Sequence, residues 1–533
     1  MEKVRSNSNP NVKKSNEPIK IVKAEELKIR QLKMRSNYYT MFMTLLNFFL
    51  VFAAGHFRDF LRLLGYLKCD TKFDSKKNIA AKIQPIVDGF TAFYIRHIAI
   101  YAHDTMCRPL CSTPSAEIEI CERKRQTQFH STYKQTGRIL KSLNFASYNY
   151  LGFAQNRGPC AEASKSAVEK YGIGMGSTRS EVGSIQLHTD LENLIAEFLG
   201  KEDAITFGMG FITNAGNIPA ILGKGCLLMS DELNHASIIL GSKLGGVKVQ
   251  TFNHNDMVDF EKKLRKAVIE GQPKTRRPWK KIIVIVEGIY SMEGTISYIP
   301  SLIALKQKYK FYIWLDEAHS IGAMGPTGRG VVEYWGSDAN EIDIMMGTFS
   351  KSFGAHGGYI ASTKAVVSHI RRQTHTNYAS AMTPGVAMQI YSSLRIIMGR
   401  DDRYPNDGQR RIRQLAENTR YFRTELYKRG YVVAGGDHSP VVPVLLNYPG
   451  KVTIASRYML LNGIAITIAA LPAVPITESR IRFCLSASHT REMLDYCIEK
   501  LDEVNSILSF NYFSKNPIPP MPYPPPFEIV QKC

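Results

Sequence analysis

The chain has 533 residues, 44% of them hydrophobic, enough for a large core and more than one domain. Lys and Arg number 68 against 47 Asp and Glu, a balance of +21 that favours anionic partners such as phosphorylated substrates or anionic lipid. No RNA- or DNA-binding module pattern accompanies the charge, which sets a nucleic-acid role aside, and nine scattered cysteines complete no zinc spacing and fit reduced thiols.

Residues 1–37 are polar, basic and poor in large apolar groups, and are expected to be disordered or surface-lying. Tyr38–Phe57 then runs without Asp, Glu, Lys or Arg, long enough to cross a bilayer of about 30 Å. Arg58–Gly65 continues it as an amphipathic stretch, so residues 38–70 are read as a helix that spans the membrane or lies in its plane. Residues 71–143 form a linker and arm, with Ile118–Arg123 as linker leading into a strand–turn–strand near Ile139–Leu143. Asn144–Gly152 is a loop rich in Asn, Ser and Tyr.

Residues 144–383 alternate apolar strands with helices. The strands are Ala204–Phe207, Cys226–Ser230, Lys281–Val286 and Phe311–Leu315; Glu192–Leu199 and Met257–Ile269 are helical. This predicts an α/β domain with a mostly parallel sheet covered on both faces, whose strand ends bind ligands. Residues 384–510 change pattern: a helical stretch over Val386–Tyr427, strands at Tyr431–Ala434, Val441–Leu446, Ile464–Ile468 and Arg480–Leu485, and a helix over Thr490–Leu508. They predict a smaller α+β domain, and residues 511–533 a proline-rich tail.

Asp343–Tyr359 reads D-I-M-M-G-T-F-S-K-S-F-G-A-H-G-G-Y. A short buried strand turns into a wall of small and hydroxyl residues around Lys351. Less water around that amine lowers its pKa and frees it as a nucleophile. Thr348 and Ser350 offer hydroxyls for a phosphate, and the amides of Gly210 and Phe211 at a helix start offer an anion site. Asp316 ends an apolar strand, with His319 three residues on, and His235 follows another strand. Arg480 and Arg482 alternate on one strand face, where either guanidinium matches a carboxylate.

D-E-L-N-H-A-S, E-G-I-Y-S-M-E-G, L-D-E-A-H-S-I-G and G-T-F-S-K-S-F-G-A follow in that order. Over roughly residues 130–510 the chain resembles the α-oxoamine synthases, enzymes that use pyridoxal 5'-phosphate (PLP) on an aminotransferase-like (fold type I) scaffold. Gly223–Cys226, G-Q-P-K-T-R-R-P-W-K-K-I, G-P-T-G-R-G-V-V-E-Y and R-F-C-L-S-A narrow the likeness to the catalytic long-chain-base branch of the eukaryotic serine palmitoyltransferases. The resemblance implies that Lys351 carries the cofactor aldehyde, His235 stacks on its ring, and Asp316 and His319 meet its nitrogen and phenolic oxygen. It sets Gly210, Phe211, Thr348 and Ser350 at the phosphate, Ser291 near the cofactor, and Arg482 on the substrate carboxylate.

The implied reaction is decarboxylating condensation of L-serine with a long-chain acyl-CoA. The implied partner is a lysine-lacking subunit 1, and the implied location the endoplasmic reticulum membrane with the catalytic part facing the cytosol. A sibling synthase acting on glycine or alanine, and a non-catalytic regulatory subunit, remain as alternatives. The chain departs from the family pattern at Val474, where threonine is usual, and at His356, where a small residue is usual.

Overall fold

The computed structural model describes residues 38–64, 66, 89–94, 97–98, 102–125, 133–373 and 378–510. The expectations for residues 1–37 and 511–533 lie outside the described residues.

Among the described residues there are thirteen strands: β1 (Glu117–Arg125), β2 (Tyr133–Asn144), β3 (Asp203–Phe207), β4 (Leu227–Asp231), β5 (Lys248–Phe252), β6 (Ile282–Glu287), β7 (Tyr312–Asp316), β8 (Ile344–Thr348), β9 (Gly358–Ser362), β10 (Val441–Asn447), β11 (Ile464–Ala465), β12 (Thr467–Ala469) and β13 (Ser479–Cys484). Seven of them make one sheet in the order β3-β9-β8-β7-β6-β4-β5. Within it β9 is antiparallel to both neighbours, and the other pairs are parallel. Both faces are apolar, as a helix-covered parallel sheet requires. Val284, Val286, Ile313 and Leu315 pack into one core, and Ile283, Ile285 and Trp314 into the other. Period-two side-chain alternation thus feeds two cores from one run of residues. The expected type I fold is the one observed.

A second, antiparallel sheet runs β10-β13-β12 and carries both arginines of β13. A third joins the β1–β2 hairpin to β11. The linker expected over Ile118–Arg123 is therefore a strand: Ile118 and Ile120 are buried with Ala465, so alternation drives pairing there.

Two further expectations are corrected. The stretch Val386–Tyr427 is two helices, Pro384–Ile397 and Asp407–Lys428. Gly399 (φ 68°) and Asn406 (φ 63°) take left-handed backbone between them, a conformation no helix continues through. Tyr431–Ala434 makes only an isolated bridge, Val433 to Val444, instead of a strand.

Near the start, Tyr38–Leu63 is one helix, and Tyr38–Leu61 is long and apolar enough to cross a membrane. Phe42, Phe49 and Phe57 stand more than half exposed on it. It is held by its far end: Gly55 lies against Phe93, where a Cβ would come within 2.7 Å of the ring, and Asp59 pairs with His97 at 2.9 Å.

Candidate active site

Four strand ends and one strand of the second sheet supply the site. β7 ends at Asp316, whose side chain is 3% exposed. Asn214 Nδ2 donates to its Oδ2 at 2.7 Å and the Ala318 amide to its Oδ1 at 2.9 Å, so the carboxylate is fixed by a donor on each oxygen. β6 ends at Glu287, in register with Asp316.

Lys351 follows β8 in the turn that closes onto β9. Its Nζ lies 5.7 Å from the centre of the Tyr148 ring. Burial lowers the amine to about 8, against the pull of Asp316 and Glu287. A substantial share of Lys351 is thus the free amine at mildly alkaline pH, as a nucleophile or base needs.

His235 caps the helix Ala236–Gly245. Its amide donates to Glu287 Oε1 at 2.6 Å, and its Nδ1 pairs with Ser237 Oγ at 2.8 Å. Main chain and ring are both tied, and the imidazole plane meets the Phe211 ring edge-on at 5.8 Å. Burial, with Lys351 adding to it, holds the imidazole below its ordinary range, so the ring is neutral at pH 7. His319 is more deeply buried, and desolvation first, then Lys351 and Arg482, push it far down. Its Nδ1 pairs with Tyr150 Oη at 2.8 Å, and the Tyr148 ring stands edge-on to it at 5.2 Å.

Thr348 Oγ1 donates to the Gly357 carbonyl at 2.9 Å and lies 2.8 Å from Ser350 Oγ. Gly210 opens the helix Gly210–Ala215 so close to them that a Cβ there would be 2.6 Å from Thr348 Oγ1. Glycine therefore brings main-chain amides down to the two hydroxyls.

The two arginines of β13 part company. Arg480, 0% exposed, is paired with Glu478 at 2.8 Å and Glu293 at 3.5 Å. Arg482, 4% exposed, has no carboxylate partner among the described residues. Its Nη2 donates to the Tyr148 hydroxyl, its Nη1 donates to the Ser291 carbonyl at 3.4 Å, and its Nε is buried without a partner. Alternation along the strand sets both on one face; the neighbouring acids decide which is free for a substrate anion.

All ten site residues expected from the sequence meet in this one region. Four more belong to it: Tyr148, Tyr150, Asn214 and Glu287. Glu287 has the same signal as Asp316, a carboxyl ending an apolar strand, inside the quoted motif E-G-I-Y-S-M-E-G. Tyr148 and Tyr150 lie 171 and 169 residues before His319, in a loop whose only sequence signal is its Tyr and Asn content. Of the departing positions, Val474 is buried, and His356 is exposed with Nδ1 at 3.1 Å from the Gly208 carbonyl. PLP fits these residues. A free amine, a buried carboxylate, a flat neutral imidazole, a hydroxyl-and-amide cradle and an unpaired guanidinium are the groups it and an amino acid require.

The comparisons agree with that chemistry. The model of the class I and II aminotransferase family matches residues 141–501. Human serine palmitoyltransferase 3 is 47% identical over 476 residues, 89% of this chain and 85% of the relative. Serine palmitoyltransferase 2 of Caenorhabditis elegans is 47% identical over 87% of this chain and 82% of its own length, and that of Saccharomyces cerevisiae 43% over 89% and 83%. A solved serine palmitoyltransferase holding its PLP internal aldimine superposes with a TM-score of 0.69 at 26% identity, covering 79% of this chain and 98% of that one. The Sphingomonas wittichii serine palmitoyltransferase gives 0.69 and 26%, covering 80% and 99%. From strand ends to sequence kinship, the chain belongs to the serine palmitoyltransferase family of PLP-dependent enzymes.

Proposed function

We propose that the chain is the catalytic subunit of a serine palmitoyltransferase. It condenses L-serine with palmitoyl-CoA or another long-chain acyl-CoA, releasing CO2 and CoA, to give 3-oxosphinganine, the first step of sphingolipid biosynthesis. The observation that carries this is the lowered Lys351 amine under the pull of the doubly held Asp316, with Arg482 lacking a carboxylate partner among the described residues.

When bound, PLP supplies an electron sink for the pair released at the serine Cα. Lys351 would hold the cofactor aldehyde, and its free amine would take the serine Cα proton on Nζ. Asp316, held by Asn214 and Ala318, would accept a hydrogen bond from the ring nitrogen. His235 would stack on the ring, and His319, its Nδ1 paired with Tyr150, would reach the phenolic oxygen. Thr348, Ser350 and the amides of Gly210 and Phe211 hold the phosphate, with Ser291 beside the cofactor. Arg482 binds the serine carboxylate through the edge that carries Nε. The tight packing of Tyr148, Tyr150 and His319 keeps bulk water from the reacting carbon.

In this reading residues 144–383 bind the cofactor and 384–510 bring Arg482. By composition residues 1–37 are a basic segment and 511–533 a proline-rich one, and Tyr38–Leu63 is the membrane helix of this reading. The exposed apolar side of Tyr38–Leu63 supports seating in the endoplasmic reticulum membrane, where the acyl chain and product partition, with the catalytic part in the cytosol. A lysine-lacking subunit 1 is the partner in a heterodimer.

The test is purification from membranes followed by product analysis with serine and a series of acyl-CoAs. 3-Oxosphinganine from the wild type, and none from Lys351→Ala, is the expected result. A product from glycine or alanine in preference to serine overturns the substrate assignment, and full turnover in Lys351→Ala overturns the site.

A further inference from the structure

β6 and β7 are neighbours in the parallel part of the sheet, and each ends in a carboxyl. Glu287 and Asp316 are register partners, 5% and 3% exposed. Strands so paired lie about 4.8 Å apart, and like charges on neighbouring carboxyls in a dry site disfavour ionising both. Their donors differ. Asp316 receives a bond on each oxygen, from Asn214 and Ala318. Glu287 receives the His235 amide on Oε1 at 2.6 Å.

We propose that Glu287 is a positioning residue: its carboxyl, on the strand end beside Asp316, clamps the His235 main chain and leaves the cofactor's ring nitrogen to Asp316. The proposal rests on the cofactor reading of Lys351, Asp316 and His235.

Electrostatics point the same way. Burial first, then Asp316 on β7, with Asp231 on β4 adding, push the Glu287 carboxyl well above the ordinary carboxylate range. The His235 amide and Lys351 oppose them. The division of labour follows. A charged Glu287 would compete with Asp316 for a cationic ring nitrogen and for the Lys351 amine. A neutral one still accepts the His235 N–H, which fixes the residue that starts the helix Ala236–Gly245 and carries the stacking imidazole.

The test uses the purified full-length holoenzyme and the variants Glu287→Gln and Glu287→Ala. The readouts are kcat, the serine KM, and the pH midpoint of the bound cofactor's visible absorbance. Glu287→Ala is expected to lose at least about tenfold in kcat through a loosened His235. Glu287→Gln, which keeps the acceptor without a charge, is expected to recover most of that loss with the midpoint within about 0.3 pH units of wild type. Two results overturn the proposal: a midpoint in Glu287→Gln lowered by about a unit or more, which makes Glu287 an anion, or wild-type kcat in Glu287→Ala. Should Glu287→Ala not fold, the Glu287→Gln midpoint decides alone. Failure of the underlying cofactor reading looks different: wild type itself then lacks a visible band that depends on Lys351.

Discussion

The rim of the seven-stranded sheet and the helix Tyr38–Leu63 break the same rule in opposite directions. The rim, with β13 of the second sheet against it, buries Asp316, Glu287, His319 and Arg482, groups that water solvates well. The helix presents Phe42, Leu45, Phe49, Leu50 and Phe57 to its surroundings. Buried charge without full pairing and exposed apolar side chains in a stripe are both costly unless something outside the chain meets them. In the proposed function that something is a charged cofactor and an amino acid at the rim, and lipid at the helix. The contrast teaches that function sits where local side-chain choice contradicts burial.

The largest effect should come from the rim. Asp316→Asn keeps the shape and removes the charge, and kcat is expected to fall on the order of a hundredfold or more, with cofactor still bound. Steady-state kinetics beside a cofactor absorbance spectrum check it; near wild-type kcat would make Asp316 merely structural.

A smaller loss is expected from Arg482→Lys, which gives up the planar fork. The serine KM should rise about tenfold with kcat less affected. Arg480→Lys is the control on the same strand. It breaks a pair with Glu478 and Glu293, so melting temperature should drop before the serine KM moves. A KM effect confined to Arg480→Lys would exchange the two roles.

A gentler probe is pH. In cofactor-free protein the Lys351 amine sits at about 8, against 10.5 in the unfolded chain. The unfolded state therefore holds more protons between those values, and the Lys351 contribution to stability rises as pH climbs from 8 to 10.5. Lys351→Met removes the buried amine. Its melting temperature should exceed wild type most at pH 7, with the gap narrowing toward pH 10. A gap that widens with pH contradicts a lowered amine.

The smallest catalytic effect is expected at the helix. A charge at its centre, as in Phe49→Asp, costs insertion about 3 kcal/mol, and flotation should show protein released from membranes while kcat in detergent stays within about twofold. Unaltered flotation would remove Phe49 from the lipid-facing side.

What the sequence made legible follows contact range. Lys351, Thr348 and Ser350 belong to one turn, and Asp316 and His319 to one strand end, so their motifs are visible in a short window. His235 and Ser291 follow other strand ends of the same sheet. Apolar runs announce those ends, because period and length alone identify buried strands. Tyr150 touches His319 only once residues 169 apart fold together, and Asn214 meets Asp316 across 102. No local pattern marks such partners. Arg480 and Arg482 were equivalent by alternation, and only Glu478 and Glu293 distinguish them. The break between Ile397 and Asp407 was hidden because apolar spacing resumes on the far side, while left-handed backbone at Gly399 and Asn406 is a property of the folded chain.

The central claim is that the Lys351 amine, and no other, captures the PLP aldehyde. Borohydride reduction of the cofactor-loaded protein followed by peptide mapping tests it directly. A phosphopyridoxyl group on the peptide that contains Lys351 is the result the account predicts. The same group on a different lysine, or none on a protein that turns over, contradicts it.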